Sequence, residues 1–566
     1  MEKLIDASMR RIKSDYLFKN AKIVDVFTNK IIKTDFAVKD GYIIGFGEYD
    51  SSNVIDLCDK YVAPALIDGH VHIESSKITP SQFSKAVVPH GVLTVIADPH
   101  EIANVKGLEG IEFMLEDSKD LPLDVFIMVP SCVPATDFED SGAHIDIEEI
   151  EYLMKNKRVL GLGEVMDFNA VIKGDKNILN KIEIAKKFNK VVDGHCPGID
   201  KKSLFSYVLA GIMTEHECST VEEMIDRLEL GMYVQIREGS AARNLSTLIK
   251  GVTKDNINRL MFCTDDREPN DLFREGSIDN NIRMAIKYGI DPIDAIKMAT
   301  INTSIVYRLN DIGAIAPGYK ANFIVFNDLY EFKVEEVYKE GIIVAKDNNQ
   351  FSEKQTTQNN NLINTVNMKK LTKEDLYIKQ NGNYINIIKI EPHNLVTKKI
   401  KINADKYYKD DDKIYSKIVV IERHNKTGKF GIGVVEGFNI RNGAIASTVA
   451  HDSHNVVVVG DNDDDILLAV EELSAIGGGL VLVKGGEILG ELPLEIGGLM
   501  SNKPLSEVAE KLENLQKLAY DELCVSKDIE PFMTLSFLSL PVIPEIKVTD
   551  RGLFDVVENK FIDLIE

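Results

Sequence analysis

The chain has no tryptophan and only six cysteines in 566 residues. Cys58, Cys132, Cys196, Cys218, Cys263 and Cys524 are scattered, with no C-x-x-C pair among them. In so long a chain this argues against a secreted disulfide framework, so reduced thiols and a cytoplasmic location are expected. Positive charge is scarce too: 66 Lys and Arg stand against 89 Asp and Glu, a formal net charge of −23. Such a balance argues against a nucleic-acid backbone or an anionic membrane as partner and suits a small neutral or cationic substrate. No stretch of ~18 uncharged apolar residues occurs, so no membrane span is expected. The opening MEKLIDASMRRIKSDYLF lacks an apolar core of signal-peptide length.

What is present is an ordinary globular composition, 44% hydrophobic and 27% charged. At ~100–200 residues per domain the length suggests about three units, fewer if one is a large α/β barrel. Residues 18–60 alternate apolar and polar positions around an Asp-Gly turn, and the same texture returns at DIGAIAPGYKANFIVFND, residues 311–328. Together they suggest one small β domain built from both sides of an insertion. Inside lie eight apolar runs: VAPALIDGH, VLTVIADPH, VFIMVP, RVLGLGEV, VVDGH, GIMTEHE, MYVQIRE and LMFCTDD. Amphipathic segments such as DIEEIEYLMKN separate them. Continuous apolar strands alternating with helices indicate a parallel sheet covered by helices, and eight of them fit an α/β fold of the (β/α)8, TIM-like class. The expected organisation is a composite β domain (1–60 plus 308–345), the barrel (61–307), a polar linker (346–369) and a C-terminal α/β or α+β domain (370–566). The GGG of EELSAIGGGLVLVKGG reads as a turn between helix and strand, since a P-loop lysine spacing is missing.

The chemistry-bearing residues terminate these strands. His70 and His72 follow the first run, Asp98 and His100 the second, Glu164 the fourth, His195 the fifth, His216 the sixth and Asp265 the eighth. In a strand, alternate side chains share a face, so His70 and His72 would aim into one space. Singly, each has an ordinary structural explanation: a satisfied core histidine, a helix cap, a shaped loop. Together they would converge on the C-terminal rim of a barrel, where buried carboxylates and imidazoles are costly unless a metal cluster compensates them. Imidazole and carboxylate suit Zn²⁺, Fe²⁺ or Mn²⁺, and a carboxylate can bridge two ions.

PALIDGHVHIES, followed in order by Glu164, His195, His216 and Asp265, resembles the amidohydrolase superfamily of metal-dependent barrels. Within it DPHEIANV (98–105), GHCPG (194–198), EHE (215–217), CTDD (263–266) and VAHDSHNVVVVG (449–460) resemble the bacterial adenine deaminases, over nearly the full chain. Hydantoinase-like members bridge their metals with a carboxylated lysine on the fourth strand; Glu164 stands there instead, which disfavours a cyclic-amide hydrolase. The cytidine-deaminase fold pairs H-x-E with P-C-x-x-C. His72-Ile73-Glu74 supplies only the first half, so that fold is excluded.

The resemblance implies hydrolytic deamination of adenine to hypoxanthine and ammonia at two divalent ions, Mn²⁺ or Fe²⁺ first and Zn²⁺ as an alternative. It implies His70, His72, Glu164 and Asp265 on one ion and Glu164, His195 and His216 on the other, with Asp265 moving the proton of water. Glu217 and Glu238 are the candidates for protonating the purine, with Arg237, Ser240 and Asn244 around them; a solvated loop is the plain alternative. Asp98, His100 and Glu101 are expected to support the metals or touch substrate, or else shape a loop. His451, Asp452 and His454 of HDSHN are expected to cap the barrel mouth, to form an extra metal site, or to be a polar turn. Adenine and water are the expected partners, with a homodimer expected by analogy. A metal-dependent hydrolase of another small heterocycle and a non-catalytic barrel scaffold are the rival readings, the latter countered by the presence of every expected ligand.

Overall fold

The structure is a computed structural model describing residues 1–351, 354–409 and 414–566. A nine-stranded sheet joins the two flanking segments. Ser14–Asp25 pairs antiparallel with Lys30–Lys39, which turns back into Tyr42–Phe46 through Asp40 and Gly41. Both turn residues have positive φ, 47° and 80°, the geometry that makes Asp-Gly a hairpin signal. The returning chain adds Phe323–Phe326, Val334–Lys339 and Ile342–Lys346, and Tyr61–Pro64 pairs with Phe323–Phe326. Phe18, Phe36, Phe323 and Tyr338, drawn from both segments, pack face to face and edge to face at 4.6–5.3 Å between ring centroids.

Two boundaries differ from expectation. Tyr61–Pro64 belongs to this sheet, so the barrel begins at Leu66 rather than at 61. One apolar run serves two sheets because the Ala65 amide bonds to Asn322 O just where the chain crosses between them. The composite sheet also runs to Asn349–Gln350, paired with Ile342–Lys346 inside the expected linker. Beyond it the described residues 354–369 have little regular structure but are tied to the barrel, Thr356 bonding to Thr79 and Ser81 and the Thr357 amide to Asp117.

The barrel strands are Leu66–His72, Val92–Ala97, Asp124–Val129, Val159–Val165, Val191–Gly194, Thr214–Glu215, Tyr233–Arg237 and Leu260–Cys263, the last continuing as Asp265–Asp266. Neighbours pair in parallel, and Asp265–Asp266 pairs with the first strand to close the ring. The join of fifth and sixth strands is made by the Met213 amide bonding to Val192 O. All seven residues of the first strand and all six of the second are buried, as a sheet covered on both faces demands. Several polar groups inside pair with one another: Tyr307 and Thr214 donate to Asp193, and Gln235 donates to Gly69 O.

The C-terminal unit is α+β. Its eight-stranded sheet is antiparallel except where Tyr384–Ile390 meets Phe430–Glu436. Helices Asp463–Ala475, Leu505–Asp521 and Pro531–Phe537 pack beside it. Gly477, Gly478 and Gly479 form the turn between the first of these helices and Gly479–Lys484, with φ of 80°, 109° and 136°. The unit docks on the barrel's rim: Ser501 exchanges backbone bonds with Lys77 and Thr79, and Asn455 donates to Asp140 O.

Candidate metal centre and active site

Six side chains from the ends of five barrel strands meet, with Glu164 at their centre. His70 Nε2 and His72 Nε2 lie 3.1 Å apart, so alternation along the strand brings the two rings together. The Asp98 carbonyl can only accept, so His72 donates from Nδ1 at 2.8 Å and Nε2 keeps a lone pair facing inwards. Glu164 divides its oxygens. Oε1 faces His70 Nε2 at 3.1 Å and His72 Nε2 at 2.9 Å; Oε2 faces His195 Nδ1 at 2.6 Å and His216 Nε2 at 3.7 Å. Asp265 Oδ1 completes the first set, 3.4 Å from His70 and 3.2 Å from His72. Its positive φ of 57° turns the carboxylate inwards after the eighth strand. Asp266, the next residue, accepts instead from Ser75 at 2.5 Å.

The electrostatics of the cluster follow from burial and close neighbours. Burial works against charging each imidazole, yet Asp265 and Glu164 lift His70 to about 10, and Glu217 and Glu164 lift His195 to about 9. His216 goes the other way, to about 3, through burial and the neighbouring His70. Burial would raise Glu164, but His72, His216 and His195 outweigh it and hold the carboxyl well below its usual range. Even so, Glu164 Oε1 and His195 Nδ1, both facing into the cluster, are buried without a hydrogen-bond partner. Buried acceptors left unpaired are expensive, and divalent cations are the groups that two carboxylates and four imidazoles fit.

The supporting residues are also in place. Asp98 Oδ2 accepts the Glu164 amide at 2.9 Å. Gly163 makes room for that carboxylate, since a Cβ there would stand 2.1 Å from Asp98 Oδ2. Asp68, which the sequence reading passed over, accepts from the amide and hydroxyl of Thr264 at 3.0 and 2.5 Å, bracing first strand against eighth beside Asp265. The signal was there in the Asp68-Gly69 pair before His70: a Cβ on Gly69 would press on Phe262 O at 3.0 Å.

Arg237 links the next pair of acids. It donates to Asp265 Oδ2 at 2.7 Å and grips both oxygens of Glu217, while its Nε reaches Asn244 Oδ1 at 2.9 Å. Glu217 is 3.5–3.6 Å from His216 and His195. Glu238 is buried, its Oε2 has no partner, and burial raises its pKa against the pull of Arg243. Ser240 is held in its loop, donating to Asp271 at 2.6 Å and accepting from the Glu268 amide at 2.9 Å.

HDSHN sits over the second strand. His451 Nδ1 is 2.7 Å from Glu101 Oε1, and His454 Nε2 bonds Glu101 Oε2. Glu101 Oε1 is in turn 3.4 Å from His100 Nε2, and His100 Nδ1 is 3.9 Å from Asp98 Oδ1. The Ala450 amide donates to His454 Nδ1 at 3.1 Å, so Nε2 carries the ring proton. That makes His454 a hydrogen-bond donor to Glu101 and leaves it no lone pair for an ion, which disfavours an extra metal site. Asp452 is buried beside them but 4.0 Å from His451 Nδ1. Between this segment and the barrel rim is a cleft lined by Ser75, Ser240, Asp266, His451, Phe532 and Phe537. The two phenylalanines gave no sequence signal, because they reach the rim from a helix near the far end of the chain.

Comparison with known proteins gives the family. The amidohydrolase family profile matches residues 61–344, and the adenine deaminase C-terminal domain profile matches 393–560. The adenine deaminase of Clostridium acetobutylicum is 47% identical over 567 aligned positions, covering 99% of this chain and all of the relative. Those of Nitratidesulfovibrio vulgaris and Halalkalibacterium halodurans are each 46% identical, covering 98% and 100% of this chain and 97% and 98% of theirs. The chain belongs to the adenine deaminase family of amidohydrolases.

Proposed function

We propose that the chain hydrolyses adenine to hypoxanthine and ammonia at the barrel rim. Relatives named adenine deaminase, 43–47% identical over nearly the whole length, carry the substrate assignment. The division of Glu164's oxygens between two imidazole pairs carries the site assignment. His70, His72, Glu164 and Asp265 would hold one divalent ion, and Glu164, His195 and His216 a second, with Mn²⁺ or Fe²⁺ the proposed metals. Bound there, such ions supply Lewis acidity and bring a water's pKa towards neutrality.

The remaining work falls to the chain's own groups. Water adds at C6 of adenine, the C6–N6 bond breaks, N1 gains a proton and N6 leaves as ammonia. Asp265 takes the proton of water and returns it to the leaving nitrogen; Arg237 on its Oδ2 fixes which oxygen faces the reaction. Glu238 gives the proton to N1 and recovers one from the C6 hydroxyl as it becomes the carbonyl of hypoxanthine. Both oxygens of Glu217 are occupied by Arg237, whereas Glu238 has a free buried oxygen and a pKa raised by burial, the condition of a general acid. Asp98 orients Glu164 and His72 through its carboxylate and its carbonyl. Asp265→Asn tests the assignment: adenine turnover should fall by ~10²–10⁴-fold. Unchanged turnover would remove Asp265 from the mechanism.

A further inference from the structure

We propose that the C-terminal domain sets the preference for a free base: His451 and Phe537 form the far wall of the adenine pocket and exclude purines substituted at N9. The inference rests on the adenine reading and adds the residues that make it selective.

The orientation of the substrate follows from the chemistry. C6 must lie at Asp265 and the imidazole cluster, because the bond to N6 is the one that breaks. The imidazole half of the purine, with N9, then points out of the barrel. On that side the C-terminal unit faces the barrel rim across a cleft. The cleft that reaches Asp266, the residue after Asp265, has Ser75 and Ser240 with it on the barrel side and His451, Phe532 and Phe537 on the other.

That second wall is fixed rather than loose. The His451 ring stacks on Phe537 at 4.7 Å between centroids and 23° between planes. His451 Nδ1 is anchored 2.7 Å from Glu101, a barrel residue that also engages His454 and faces His100. Phe537 ends helix Pro531–Phe537, which packs on strands Gly443–Ser447 and Val456–Gly460 of the C-terminal sheet. An imidazole held at one nitrogen by a carboxylate presents a defined edge to a ligand, and an aromatic ring behind it gives a purine a flat surface at little entropic cost. A ribose at N9 would have to occupy the space of this pair.

Steady-state kinetics of the metal-loaded, full-length protein test the idea with adenine and 9-methyladenine. Wild type should turn over adenine and leave 9-methyladenine essentially untouched. Phe537→Ala and His451→Ala should raise KM for adenine about tenfold or more, lower kcat much less, and bring the kcat/KM ratio of the two bases at least about tenfold closer. Phe537→Leu, which keeps the bulk, should preserve the discrimination, and melting curves confirm that each variant is folded. Discrimination unaltered in folded Phe537→Ala and His451→Ala would overturn the proposal while leaving the adenine reading intact. Failure of wild type to act on adenine would overturn the functional reading, and this inference with it.

Discussion

Replacing Glu164 by glutamine isolates the bridge on which the site is built. The side chain keeps its volume, but one oxygen becomes an NH₂ that cannot bind a cation. The direction in which the amide settles can be worked out. On the Oε1 side stands Asp265, its carboxylate in the same group of ligand atoms, all within 4.8 Å of one another; on the Oε2 side are only the imidazoles of His195 and His216 and, beyond them, Glu217 bound to Arg237. The NH₂ therefore turns towards Asp265, and the carbonyl stays on the His195 side. The ion shared with His70 and His72 then loses one carboxylate oxygen, Oε1, which lies 3.1 and 2.9 Å from their ring nitrogens. At ~1.5–3 kcal/mol for one interaction with a charged group, the loss is ~10–10²-fold in retention of the ion on that side. Metal content measured by mass spectrometry after dialysis against graded chelator should fall from two ions per chain to one, and adenine turnover should fall with it. A variant that keeps both ions with wild-type affinity would refute the bridge.

Loading the metal-free protein should release protons. His70 at about 10 and His195 at about 9 are charged near neutral pH and must be neutral to act as ligands, so apparent metal affinity should rise with pH until those values are passed. Calorimetric titrations in two buffers of different ionisation enthalpy count the protons released. Lys547 should make stability pH-dependent in its own way. Burial lowers it from 10.5 to about 7, so between those values the unfolded chain binds the extra proton and stability increases as pH rises, by on the order of 4–5 kcal/mol in all. Lys547→Met should raise the Tm at pH 7 and flatten its pH dependence; an unchanged pH profile would contradict this. Glu238→Gln should cut kcat for adenine by ~10²-fold or more while metal content stays at two per chain, and an unaltered kcat would return the role of N1 donor to Glu217.

Much of this site was legible because parallel strands buried on both faces leave uninterrupted apolar runs, and the barrel places its chemistry where those runs end. His70, His72, Glu164, His195, His216 and Asp265 could all be picked out by that position alone. The start of the barrel was harder to read. Tyr61–Pro64 and Leu66–His72 are one apolar run divided between two sheets, and nothing in hydrophobicity marks Ala65 as the crossing. The supporting residues were mixed. Asp98 announced itself at a strand end, but Asp68 lies within the first strand, and its bond to Thr264 joins residues far apart in sequence that only ring closure makes neighbours. Phe532 and Phe537 were invisible for a related reason: their setting over the rim depends on how the C-terminal sheet docks, and Pro531–Phe537 by itself reads as an ordinary short helix.

The most direct test of the account follows ammonia and hypoxanthine from adenine in protein reconstituted with Mn²⁺, with adenosine, cytosine and dihydrouracil in parallel and the metal content counted on the same sample. The account predicts turnover of adenine, stoichiometric hypoxanthine and ammonia, and about two ions per chain. Two ions with dihydrouracil hydrolysed and adenine untouched would contradict it.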